Sequence, residues 1–222
     1  TYIVPKAEPA KPSGSSSGGS SHSHTIATAW SYDDTYHWHE ADCGLEAHRS
    51  GKAAHKFDEA TGACECGFTK CVEVWTGYSG TKVASYATIA EAAENLGENK
   101  WIVISKNYTL TKDFTIPAGV FLDVAKGATL TIAENVTLTV AADAKRLGVR
   151  TGATLVNNGT IMIEEGYSAA NPFGYVMKQD NATFDTTTLT VPAGCILEQS
   201  GQNYYAAKAA FEVTYADGST KQ

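Results

Sequence analysis

The chain has 222 residues, of which 43% are hydrophobic and 18% are charged, and it contains 20 glycines. This composition is typical of one or two turn-rich globular domains and excludes a largely disordered chain. The formal net charge of −7 argues against a general binder of nucleic acid or anionic membranes, and no apolar run approaches the roughly 18–20 residues that span a bilayer.

The first 23 residues are predicted to form a linker. Proline stiffens the first half of this stretch, and runs of serine and glycine make the second half flexible. The chain begins with neither an initiator Met nor the apolar core of a signal peptide, so we expect a processed chain. Tyr2, Ile3 and Val4 are typical of the last strand of a preceding domain, which predicts a longer parent polypeptide, with a frayed terminus as the alternative.

Residues 24–73 are predicted to form a small module that is stabilised by a cross-link. All six histidines lie between His22 and His55, and four of the five cysteines lie between Cys43 and Cys71. The segment is too short and too rich in Ala and Gly to bury a self-sufficient core, and such small domains usually depend on disulfides or a metal.

Zinc explains the pattern of this module better than disulfides do. Cys64 and Cys66 rarely pair with each other at this spacing, and the glycine after them lets backbone amides approach the two sulfurs, as in a zinc knuckle. The disulfide or free-thiol alternative stays open. The predicted ligands come from His37, Cys43, His55, Cys64 and Cys66, with His39 and His24 as substitutes, whereas His48 and Cys71 are expected at the surface.

The module also resembles a known family. The order His-x5-Trp, Asp-Asp-x-x-His-Trp-His, Cys-Gly, Ala-Ala-His-x-Phe and Gly-x-Cys-x-Cys-Gly-Phe is similar to a small His/Cys module, zinc-ribbon-like, of Gram-positive bacterial surface proteins. A Cys often follows His-Trp-His after one residue in that family, where this chain has Glu40-Ala41, so the fourth ligand stays open. The resemblance implies a structural or spacer role at the cell surface, with bound zinc.

A Gly-punctuated connector is predicted at residues 74–85, followed by a second domain over residues 86–222. This domain starts with a short helix over residues 88–96, because Thr88-Ile-Ala-Glu91 is a capping box and Gly97 can end the helix in the left-handed conformation. The helix is expected to cap the apolar end of the domain that follows.

From residue 100 onward, apolar residues alternate with Thr in short strands. Gly127-Ala-Thr-Leu130 recurs as Gly152-Ala-Thr-Leu155, which is 25 residues later. A rung of roughly 20–25 residues predicts a mainly β fold, a short parallel β-helix, with a β-sandwich as the alternative. The Leu-Thr-Ile, Gly-Ala-Thr-Leu and Asn-Asn-Gly-Thr-Ile runs resemble pectin-lyase-like β-helices over about residues 86–200, which implies a right-handed coil.

Catalytic chemistry has weak support in the β region. No two of its candidate groups have a spacing that forces them together, so solvated surface charge is the favoured interpretation, and every histidine lies outside the region. The candidates are Asp113, Asp123 and Asp143 with Lys126, Arg146 and Arg150.

The sequence therefore predicts a non-enzymatic extracellular or cell-surface segment, structural or adhesive, with a structural zinc site and a β-helix stalk. Expected partners are a glycan, contacted through exposed Thr, Asn and Tyr, or neighbouring domains of a longer surface protein, and neither nucleic acid nor a membrane span is expected. The alternative is a β-helix that binds polysaccharide or acts on it as a lyase or hydrolase. A zinc hydrolase is a third hypothesis, which needs an open coordination position.

Overall fold

A computed structural model describes most of the chain after the predicted linker. Residues 1–22 of that linker lie outside the described part. The described residues are 23–33, 35–58, 63–168, 170 and 172–209, together with the backbone of 213–214 and 220–221.

The module begins with a three-stranded antiparallel sheet in the order β1-β2-β3, whose strands are β1 (Ile26–Tyr32), β2 (Tyr36–Ala41) and β3 (Ser50–Ala54). A 3-10 turn, Glu46–His48, lies between β2 and β3. After β3, an isolated bridge pairs Phe57 with Cys64 and another pairs Ala63 with Thr69, so residues 63–69 form a tight loop that pairs with Phe57.

Most of the rest of the described chain is a parallel β-solenoid of about three turns, which confirms the predicted fold class. Three stacks of strands form its faces: β6-β9-β12-β15, β7-β10-β13 and β8-β11-β14-β16. The strands are β4 (Val72–Trp75), β5 (Lys82–Tyr86), β6 (Trp101–Ile104), β7 (Tyr108–Leu110), β8 (Phe114–Ile116), β9 (Phe121–Val124), β10 (Thr129–Ile132), β11 (Thr137–Val140), β12 (Arg146–Val149), β13 (Thr154–Asn157), β14 (Thr160–Ile163), β15 (Tyr175–Lys178), β16 (Leu189–Thr190), β17 (Cys195–Ser200), β18 (Asn203–Lys208), β19 (Val213–Thr214) and β20 (Thr220–Lys221), with a 3-10 turn at Thr186–Thr188.

Stacking of equivalent residues builds the core of the solenoid. Leu130 pairs with Leu155 in the parallel register, as the 25-residue repeat predicts, and Leu138 pairs with Ile161. These side chains point inward and are at most 3% exposed, while Thr occupies the outward positions between them. Burial of these alternate aliphatic residues is the main stabilising contribution to the fold.

Antiparallel hairpins extend the largest sheet at both ends. β4 and β5 pair beside β6, and β18 and β17 pair beside β15. The segment predicted as a connector is therefore mostly a hairpin, because alternating apolar residues in Val72–Trp75 suit a strand, and Gly77 and Gly80 form its turn. Both hairpins cover edges of the parallel stack that would otherwise be unpaired.

The predicted helix is present as α1 (Ile89–Glu94), shorter than residues 88–96. Thr88 Oγ1 accepts a hydrogen bond from the Glu91 amide at 3.1 Å, and Glu91 Oε2 accepts one from the Ala87 amide at 3.1 Å. Ile89 packs into the solenoid core. That this helix caps the end of the core stays a prediction. Within the described ranges, no helix is long and apolar enough to cross a membrane.

Candidate metal centre

Four side chains of the module converge on one point. His37, His55, Cys64 and Cys66 each offer a ligand atom, and these four atoms all lie within 4.8 Å of one another. Three of the four residues are buried, and His55 is half-buried. Two thiols and two imidazoles at this separation could hold a metal ion.

Three separate segments supply the ligands. His37 lies on β2, and His55 follows directly after β3, where its amide donates to the Thr35 carbonyl oxygen at 3.2 Å. Cys64 and Cys66 lie in the loop after β3, which turns at Gly67 with φ of 87°. The Gly67 amide donates to the Cys64 carbonyl oxygen at 2.9 Å. Glycine suits this turn because other residues rarely adopt a positive φ.

Hydrogen bonding fixes the orientation of the His55 ring. Its Nε2–H donates to the Asp33 carbonyl oxygen at 2.8 Å, because a carbonyl can only accept. In the neutral ring the lone pair then lies on Nδ1, which is 3.4 Å from Cys66 Sγ. A histidine ligand characteristically binds metal through one nitrogen while the other donates to an oxygen.

His37 is oriented in a similar way. Its Nδ1 lies 3.2 Å from Cys64 Sγ, and its Nε2 faces Glu65 Oε1 at 3.7 Å, which is longer than a hydrogen bond. Both histidines therefore direct Nδ1 toward the thiols and Nε2 toward an oxygen. The two rings are oriented as metal ligands require.

The two thiols differ in acidity. Desolvation opposes ionisation of Cys64, but hydrogen bonds, led by the one that the Cys66 amide donates, lower the pKa of Cys64 to about 6. Desolvation raises the pKa of Cys66, and the neighbouring Cys64 raises it further. Without a cation, the site therefore stabilises the thiolate of Cys64 but not that of Cys66. A bound cation would also stabilise the thiolate of Cys66.

Aromatic rings cover the cluster on two sides. Trp30 stacks on His39 with ring centroids 3.9 Å apart and contacts His37 edge-on at 4.4 Å. Phe68 stacks on His55 at 4.3 Å. Both rings are half-buried, and they limit the access of water to the four ligand atoms.

The fifth predicted ligand, Cys43, is not brought to this cluster. It follows the far end of β2 from His37, and the four residue steps of strand from His37 to Ala41 already span about 13 Å, too far for one ion. Cys43 instead lies with His24 and His48 in a second group. The expected surface thiol Cys71 is buried in the solenoid core. All five cysteines are free thiols.

A buried ion-pair network lies on the β6-β9-β12 face of the solenoid. Asp123 is 0% exposed and accepts hydrogen bonds from Arg146 Nε at 3.1 Å, Arg150 Nη2 at 2.8 Å and Trp101 Nε1 at 2.8 Å. Although burial opposes ionisation of Arg146, its hydrogen bond with Asp123 raises the pKa of the guanidinium. The expectation that Asp123 is solvated surface charge is therefore wrong.

A signal for this network exists in the sequence. Asp123 pairs with Gly148, and their separation of 25 residues equals the length of the repeat. Both arginines lie within two residues of that glycine. The other two acidic candidates are exposed, and Asp113 Oδ1 accepts a hydrogen bond from the Thr137 amide at 2.7 Å. The six catalytic candidates thus separate into one closed network and isolated surface groups.

Comparisons of the chain with family models, with curated proteins and with solved structures give no match. The fold and the His/Cys geometry are therefore the grounds for a functional assignment.

Proposed function

We propose that the module binds one structural zinc ion through His37, His55, Cys64 and Cys66, and that the chain is a non-enzymatic segment of a Gram-positive cell-surface protein. The convergence of the four ligand atoms carries the zinc assignment. Two thiolates and two imidazoles form a tetrahedral set that suits zinc, whereas carboxylate and water oxygens suit magnesium and calcium.

The donor set favours a structural over a catalytic role for the ion. Four protein ligands fill a tetrahedral zinc site and leave no position for a reactive water. Bound zinc would hold the loop that carries Cys64 and Cys66 against β2 and His55. By analogy with zinc-finger peptides, binding would contribute on the order of 10 kcal/mol to folding of the module.

The solenoid serves as a spacer or adhesive stalk in this proposal. Asp123, the most buried of its acidic groups, is neutralised by Arg146 and Arg150, so its carboxylate is not presented to a polysaccharide. Weak glycan contact would use half-buried tyrosines such as Tyr167 and Tyr205, whose rings stack at 4.0 Å. The surface location rests on the resemblance of the module to Gram-positive surface proteins.

Hydrogen–deuterium exchange of the full chain, with zinc and after exhaustive chelation, tests the zinc assignment. Chelation is expected to remove amide protection from residues 35–58 and 63–69 and to leave β9 to β14 protected. Cys64→Ser should reproduce the chelated pattern in the presence of zinc, whereas Cys195→Ser, which changes a thiol outside the site, should not. Identical protection with and without metal would contradict the proposal.

A further inference from the structure

A second group of soft ligands lies at the other end of the module's sheet. His24, Cys43 and His48 each offer one ligand atom, and the three atoms lie within 4.8 Å of one another. Cys43 Sγ is 3.2 Å from His48 Nδ1, and the rings of His24 and His48 have centroids 4.1 Å apart.

The fold of the β1–β2 hairpin brings these residues together. Ile26 pairs with Ala41, so the residues just before β1 lie beside the residues just after β2. The Asp42 amide donates to the Thr25 carbonyl oxygen at 3.0 Å and closes this end of the pair. The 3-10 turn Glu46–His48 then carries His48 back over the hairpin end.

The carboxylate of Asp42 orients one of the histidines. Asp42 Oδ1 lies 3.2 Å from His24 Nδ1, and Oδ2 accepts a hydrogen bond from the Thr25 amide at 3.2 Å. With Nδ1–H donating to the carboxylate, Nε2 of His24 carries the lone pair. This carboxylate–histidine arrangement is the one that supports histidine ligands in zinc sites.

We propose that His24, Cys43 and His48 form a second binding site for a zinc-class divalent cation. One thiolate and two imidazoles match the preference of such ions, and three protein ligands leave the fourth tetrahedral position to water. Cys43 is exposed and both histidines are half-buried. The second site therefore binds more weakly and exchanges its ion faster than the buried, four-ligand site, on which it does not depend.

The test is a titration of the reduced, metal-free full chain with Co2+, followed through the thiolate-to-cobalt absorption bands. Two equivalents should bind to the wild-type chain and to the control Cys195→Ser, and one equivalent should bind to Cys43→Ser. A wild-type chain that binds one equivalent, or a Cys43→Ser chain that still binds two, would overturn the second site. Cys64→Ser reports separately on the first site, because it should lose the tighter equivalent and keep the weaker one.

A second readout covers the case in which Cys43→Ser fails to fold and binds no cobalt. Alkylation of each thiol in the wild-type chain is measured by peptide mass spectrometry with and without Zn2+. Saturating zinc should suppress alkylation of Cys43 and leave the rate at Cys195 unchanged. Equal rates at Cys43 in the two conditions would overturn the proposal, whatever the variant does.

Discussion

Gly148 pairs directly with Asp123 across β12 and β9, and the absence of a side chain at Gly148 makes room for the Asp123 carboxylate. A Cβ atom at position 148 would collide with Asp123 Oδ1 and would lie 3.1 Å from Arg146 Nε. The Asp123 carboxylate can therefore be buried beside its two arginines because residue 148 is a glycine.

Gly148→Ala is expected to destabilise the solenoid by about 1–3 kcal/mol, because the added methyl group forces Asp123 out of its hydrogen-bonded position. Urea denaturation measures the loss. Gly77→Ala is the matched control, since Gly77 has an ordinary φ and a Cβ there meets open space. Equal losses of stability in the two variants would show that Gly148 has no special steric role.

Asp123→Asn should lower the free energy of unfolding by about 3 kcal/mol, because it leaves two largely buried guanidinium groups without their counter-charge. The side chains of Arg146 and Arg150 are 12% and 21% exposed. The control is Asp143→Asn at an exposed position, which should have little effect in the same denaturation experiment. An Asp123→Asn chain as stable as the control would contradict this account of the network.

Ile89→Ala tests whether α1 covers the end of the solenoid core. Ile89 is 0% exposed and packs against that core, so truncation should cost about 2–5 kcal/mol in thermal or urea unfolding. Ala90→Ser, on the exposed side of the same helix, should be close to neutral. A small effect at Ile89 would mean that the helix is not part of the cooperative core.

In the metal-free chain, Cys64 should lose its proton below neutral pH. The pKa of Cys64 is lowered to about 6, while that of Cys66 is raised, so a first rise in thiolate absorbance, equivalent to one cysteine, should occur near pH 6. Cys64→Ser should remove this step and Cys195→Ser should retain it. If thiolate first appears near the usual cysteine pKa of about 8.5, the hydrogen bonds to Cys64 do not act as described.

The parallel solenoid could be predicted because its repeat places like residues together, as the pairing of Leu130 with Leu155 shows. The same 25-residue repeat places Asp123 beside Gly148, and so near Arg146 and Arg150, but it does not place Trp101 there, because the rungs on that face are unequal. Trp101 pairs with Phe121 after 20 residues, Phe121 with Arg146 after 25, and Arg146 with Tyr175 after 29. With turns of variable length, spacing alone does not give the register of the strands.

The candidate metal centre could be predicted only in part from the sequence. Cys64 and Cys66 are close in sequence and must be close in space, whereas His37 and Cys43 are separated by the length of β2. The extended strand carries Cys43 to the opposite end of the sheet, where it meets His24 and His48. The length of an extended β2 thus predicts two groups of soft ligands, one at each end of the strand.

X-ray absorption at the zinc K-edge tests the central claim most directly. The sample is the zinc-loaded Cys43→Ser chain, in which the ligands of the second group are incomplete. We predict a four-coordinate shell of two sulfurs at about 2.3 Å and two imidazole nitrogens at about 2.0–2.1 Å. A shell of oxygen and nitrogen without sulfur, or a chain that binds no zinc, would contradict the claim that His37, His55, Cys64 and Cys66 share one ion.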